Sequence, residues 1–135
     1  MLSKKTKYGL KAMAYLARKM DGNPILISEI SAQERIPLKF LEGILLDLKK
    51  NGLLESKKGK GGGYFLNKPA NDITIASIIR VLDGPIALLP CVSLNYYQKC
   101  EDCIDEESCS LNRVMVKVRD KTLKVLESQS LSDLI

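Results

Sequence analysis

Apolar positions along the chain recur at helical steps in several segments and alternate briefly in one. From about Lys4 to Met20, the residues Leu10, Met13, Ala14, Leu16, Ala17 and Met20 return at three- and four-residue intervals, which predicts an amphipathic helix. Asp21-Gly22-Asn23-Pro24 stops it. Ser28 reads as the N-cap of a short helix with Ile30 on its inner face. Ile36-Pro37 breaks the chain again. A third helix is predicted from about Leu38 to Lys50, with Leu41, Ile44, Leu45 and Leu48 inward and Asn51-Gly52 as its stop. A strand–turn–strand signal follows: Leu53-Leu54-Glu55-Ser56 leads into Lys57-Lys58-Gly59-Lys60-Gly61-Gly62-Gly63, and Tyr64-Phe65-Leu66 returns. Thr74 is placed to cap a helix reaching about Asp83, ended by Gly84-Pro85. The last helix, from about Leu111 to Glu127, carries Leu111, Val114, Met115, Val118, Thr122, Val125 and Leu126.

Composition narrows what these elements can do. A chain of 135 residues, 45% hydrophobic, is long enough for one domain with an appendage and buries a core without disulfides. The absence of His removes His-based acid–base catalysis, Ser–His and Cys–His nucleophile pairs, and mixed Cys/His metal sites. With no Trp and two Phe, platforms for stacking single-stranded bases are disfavoured. The chain is expected not to be an enzyme. No apolar run approaches the roughly 18 residues of a membrane span, and the basic N-terminal stretch lacks a signal-peptide pattern. A cytoplasmic location is expected.

Charge is divided along the chain. Residues 1–70 hold 14 basic and 6 acidic residues, whereas residues 71–135 hold 7 basic and 10 acidic. Solvated lysines serving solubility explain such a balance as well as a polyanion partner does. The element order favours the partner, because helix, short helix, helix and hairpin in succession is the order of a winged helix-turn-helix. The expected fold is mainly α with a small β wing and a long C-terminal dimerisation helix. It divides into a DNA-binding domain (1–84), a cysteine-rich loop (85–110) and a dimerisation helix with tail (111–135). On the third helix Lys39, Glu42 and Gly43 face outward in the N-terminal half, the part that reaches base edges in a major groove. Phosphate contacts would come from Lys4, Lys5, Lys7, Lys57, Lys58 and Lys60. The glycine cluster could instead cradle nucleotide phosphates, but no Gly-Lys-Ser/Thr follows and no helix starts there. Glycines that let a hairpin tip turn sharply are the better reading.

Cys91, Cys100, Cys103 and Cys109 fall within 19 residues, separated by eight, two and five residues. Four cysteines this close suggest metal binding or redox chemistry more than disulfides. Spacing alone leaves an iron–sulfur cluster, structural zinc and free thiols open. The interspersed Glu101, Asp102, Asp105, Glu106 and Glu107 read as a solvated acidic loop. In the last helix Leu111, Val114, Val118 and Val125 approach a heptad seam interrupted by Lys121, as a dimer helix would.

Taken together, MLSKKTKYGLKAMAYLA, IPLKFLEGILLDLKKNGLLESKKGKGGGYFL and the later cysteines resemble the Rrf-two family of bacterial winged-helix repressors over nearly the whole chain. The resemblance implies a homodimer on a pseudo-palindromic operator. It puts Lys39, Glu42 and Gly43 on the base-reading part of the recognition helix, and Lys58 where members often carry a wing arginine. It also implies an iron–sulfur cluster, [2Fe–2S] or [4Fe–4S], with zinc less favoured. Cys91, Cys103 and Cys109 match three ligand positions. A His that supplies the fourth ligand in some members corresponds to Asn112, a poor iron ligand, which leaves Cys100 as the replacement. The expected function is a sensory repressor whose operator affinity follows the state of that cluster. A small iron–sulfur electron or cluster carrier and a zinc-stabilised interaction module are the alternatives, and both leave the basic helix–hairpin unit without a purpose.

Overall fold

The computed structural model describes residues 2–19 and 22–135. Met20, expected on the first helix's apolar stripe, and Asp21, expected in its stop, lie outside the described residues.

The first helix, α1, spans Lys4–Arg18 and is capped by Ser3, whose hydroxyl accepts from the Thr6 N–H at 3.1 Å. Its buried residues, Thr6, Gly9 and those from Ala12 to Ala17, pack it against α2 (Ile27–Glu34), α3 (Leu38–Lys50) and α4 (Ile75–Leu82). The predicted bounds of α3 are those observed. Its buried residues are Leu41, Ile44, Leu45 and Leu48, and Gly52 follows at φ +80°, where a side chain would be strained. Thr74 does cap α4, accepting from the Ser77 N–H at 3.1 Å.

Helix α2 differs from expectation. Leu26, not Ser28, occupies its N-cap position, and no side chain caps it. The cause lies next door: Ile25 exchanges two backbone hydrogen bonds of 2.8 Å with Tyr64, which fixes the backbone just before the helix. Tyr64 belongs to β2 (Gly63–Leu66), which pairs antiparallel with β1 (Leu54–Lys57) in the register Leu54 opposite Leu66 and Lys57 opposite Gly63. The hairpin is thus anchored to the α1–α2 connection by a single residue. Gly63 permits this, because a Cβ there would collide with the Ile25 backbone. The first strand starts one residue later than predicted because the Leu53 N–H bonds the Leu48 carbonyl at 3.0 Å and closes α3 instead.

Helix α5 (Ser110–Ser128) buries a single residue of its own, Leu123. The chain then turns back toward the main core, which the sequence pattern did not reveal. The Leu131 N–H donates to the Ile73 carbonyl at 2.8 Å, the Ile75 N–H donates to the Gln129 carbonyl at 3.0 Å, and the Leu131 side chain is fully buried. Ser130 and Asp133 form a reciprocal capping box on this short 3-10 turn.

Candidate nucleic-acid interface and cysteine centre

The face expected to meet DNA is built on the α2–α3 turn. Arg35 adopts a left-handed conformation at φ 55°, the Ser31 hydroxyl donates to the Ile36 carbonyl at 2.6 Å, and the Lys11 ammonium donates to the Glu34 carbonyl at 2.8 Å. These contacts aim α3 outward. Opposite its buried stripe, Lys39, Glu42, Gly43 and Leu46 are all exposed, spaced so that they share one face. Lys57, Lys58 and Lys60 are exposed on the hairpin, and Lys4 and Lys7 on the first turns of α1. Lys5 is different: it is half-buried and pairs with Asp47 of α3 at 2.8 Å. It therefore braces α1 against α3 and is less available to a phosphate than its neighbours. Tyr8 and Phe40 add an edge-to-face ring contact at 5.6 Å between the same two helices. Neither brace is legible in the sequence, since the partners sit at positions the apolar periodicity leaves unassigned.

Ser3 joins this region to the end of α4. Its hydroxyl donates a short hydrogen bond to the Asp83 carboxylate, and its N–H donates to the other oxygen at 3.1 Å. Burial works to raise the Asp83 carboxyl, but hydrogen bonds from Ser3 and Thr6 outweigh it and hold the group below its ordinary range.

The four cysteines line one cavity of about 590 Å³ at the N-terminal end of α5, together with Leu89, Gln98, Leu111 and Asn112. Cys109 is the N-cap of α5, its Sγ accepting from the Asn112 N–H at 3.4 Å. The Asn112 side-chain amide points across to Cys91 Sγ at 3.5 Å. Cys91 sits in a 3-10 turn whose Val92 carbonyl accepts from Arg119 of α5 at 2.9 Å, so one helix carries both sides of the cavity. Burial, then the neighbouring Cys109, push the Cys103 thiol up, with Cys91 adding to the effect. Cys100 is exposed and donates to Asp102 at 2.7 Å, which raises the thiol and lowers the carboxyl. Tyr97 donates to Glu106 at the rim, and that bond raises the phenol.

None of the four cysteines is in a disulfide. Among the described residues, no three His, Cys, Asp or Glu side chains converge tightly enough to hold one metal ion. Four thiols around one opening fit a cationic group with a preference for sulfur.

On α5 the predicted seam is exposed: Leu111 is 54%, Val114 52%, Val118 38% and Val125 58% accessible. No described helix is long and apolar enough to cross a membrane.

The family model for Rrf2, an iron-dependent transcriptional regulator, matches residues 2–135. An Rrf2-like HTH-type transcriptional regulator of Rhodobacter capsulatus is 41% identical over 138 residues, spanning 100% of this chain and 92% of its own. The HTH-type transcriptional regulator IscR of Photorhabdus laumondii is 31% identical over 134 residues, spanning 99% and 78%. Two solved structures are similar throughout. CymR, the global cysteine regulator of B. subtilis, superposes with a TM-score of 0.80 at 32% identity, covering 99% of this chain and 95% of its own. IscR of T. potens does so with a TM-score of 0.78 at 28% identity, covering 99% and 85%.

Proposed function

The chain belongs to the Rrf2 family of transcriptional regulators, a non-enzymatic family, and from that premise we propose that it is a cytoplasmic homodimeric repressor whose operator affinity depends on an iron–sulfur cluster held by its own cysteines. The observation that carries the proposal is the gathering of Cys91, Cys100, Cys103 and Cys109 around one cavity at the end of the helix that bears the exposed apolar seam.

The division of labour follows the three segments. Residues 1–84 read a pseudo-palindromic duplex. Lys39, Glu42 and Gly43 address base edges, while Lys4, Lys7, Lys57, Lys58 and Lys60 address phosphates, with Lys5 contributing only when it leaves Asp47. Residues 85–110 supply the ligands. Residues 111–135 join two copies through Leu111, Val114, Val118 and Val125, which gives the twofold symmetry a palindrome requires. Bound in the cavity, an iron–sulfur cluster supplies a centre that reacts with oxidants and nitric oxide and reports iron supply. The chain's own part is mechanical. Cysteine ligation orders the 91–109 segment, Arg119 passes that order to α5, and α5 sets how far apart two copies of α3 lie. Ligation changes operator affinity only to the extent that it favours one spacing over another.

The proposal is tested by anaerobic purification with iron and sulfide analysis, then duplex binding of the loaded and stripped forms. Iron and sulfide are expected in stoichiometric amounts, lost in Cys103→Ala. Duplex binding should be steeply salt-dependent, with a sequence-specific part that Glu42→Ala removes. A colourless protein without sulfide, or Cys103→Ala retaining signal-dependent binding, overturns the cluster. Duplex binding absent even at low salt overturns the reader.

A further inference from the structure

Two residues on the outward face of α3 have no explanation within the protein. Gly43 lies mid-helix, where glycine costs roughly 1 kcal/mol against alanine. Its own turn and chain neighbours aside, no described atom comes within 4 Å of the place a Cβ would occupy. No packing demand therefore excludes a side chain there. One turn further on is Leu46, 43% exposed and pointing away from the stripe formed by Leu41, Ile44, Leu45 and Leu48. A large aliphatic group there, opposite the core, leaves much of its apolar surface in water. Together they form a notch in the helix surface with an aliphatic wall, flanked by Lys39 and Glu42, and continuous with the face assigned to the duplex. The next residue, Asp47, would repel a duplex, but its charge is paired with Lys5 at 2.8 Å.

We propose that Gly43 and Leu46 form a receptor for the C5-methyl group of a thymine, and that this pair fixes one base of the operator half-site. The proposal rests on α3 entering a major groove. There the base edges offer hydrogen-bond donors and acceptors, and the small apolar projection is the thymine methyl. A glycine admits it without a clash, and a leucine one turn away excludes water from its flank. Lys39 and Glu42 read polar edges, whereas this pair reads a shape, so the two kinds of contact fail independently.

The test uses the full-length protein and a half-site selected from random duplexes by the protein itself. Each thymine of the selected site is replaced singly by uracil, which removes only the methyl, and affinity is measured at fixed salt. At one position uracil is expected to weaken binding about fourfold, the magnitude of burying one methyl-sized group. Leu46→Ala should bind thymine and uracil duplexes equally. Gly43→Ala should raise the melting temperature yet weaken binding to the thymine duplex more than to the uracil one. Being exposed, neither position is needed for folding, and the melting curve checks this. Uracil without effect at every position, or an effect that persists in Leu46→Ala, overturns the proposal while leaving the reader intact. If no duplex is selected at all, the reader itself fails, which is a distinguishable outcome.

Discussion

The unit formed by α1 to α4 and the hairpin, and the segment from Leu94 to Ser108, are made by the same chain under opposite rules. In the first, Met13, Ile30, Leu41, Leu45, Leu48 and Ile78 are fully buried and every helix meets another. In the second only Cys103 and Glu106 are even half-buried, and Ile104 stands wholly in solvent. Apolar burial stabilises the first region unaided. The second has little burial to offset the entropy of ordering some fifteen residues, which costs roughly 1–2 kcal/mol each. Under the proposed function, ligation of its thiols and a partner on α5 would supply the missing order. A well-packed unit beside a poorly packed segment is the arrangement that the proposed switch requires.

That contrast can be broken in several ways, in descending order of effect. Leu41→Ala is expected to cost about 2–5 kcal/mol in denaturant unfolding, whereas Ile104→Ala should stay within about 0.5 kcal/mol. Similar values at the two sites would erase the distinction. Val118→Asp should weaken self-association by at least tenfold in sedimentation, since two buried carboxylates would face each other across the seam. An unchanged dimer would move the interface elsewhere.

The Ser3–Asp83 link sharpens the comparison at its hinge. Ser3→Ala should cost about 1 kcal/mol as a lost N-cap. Asp83 has a folded carboxyl below its unfolded value, so it stabilises the fold above the ordinary carboxylate range. That contribution fades as pH falls through the lowered folded value. Melting temperatures of the wild type and Asp83→Asn should accordingly converge at acid pH and separate near neutrality. Asp47→Asn should have a small effect on stability, about 0.2–1 kcal/mol, because the Lys5 pair is partly exposed. By releasing Lys5 to phosphate, it should steepen the slope of log affinity against log salt by about 0.9. An unaltered slope would mean that Lys5 never meets DNA.

How much of this was legible depends on how many residues carry each signal. Helix α3 could be bounded from sequence because four inward residues, Pro37 and Asn51-Gly52 agree on it. Thr74 was legible for the same reason. The Ile25–Tyr64 pairing is not, since one residue has no periodicity, and without it Ser28 looks like the cap of α2. Leu131 lies in a turn too short for a repeating pattern, although Ser130 and Asp133 spelled a capping box. The cysteine spacing announced a cluster of thiols. That Asn112 reaches over to Cys91, and that Arg119 ties the far wall to the same helix, are facts of tertiary packing that no local spacing encodes.

Helix α5 spans 19 residues, roughly 28 Å at 1.5 Å per residue. At one end Cys109 borders the thiol cavity, and at the other Gln129 and Leu131 are clamped to Ile73 and Ile75. It is thus a strut with both feet planted. A tilt begun beside the sulfurs would arrive beneath α1 as torque, and shortening the chain after Ser128 would unseat that far foot and open a hole where Leu131 sits. Any trimmed fragment meant to isolate the reader must therefore keep residues it has no other use for.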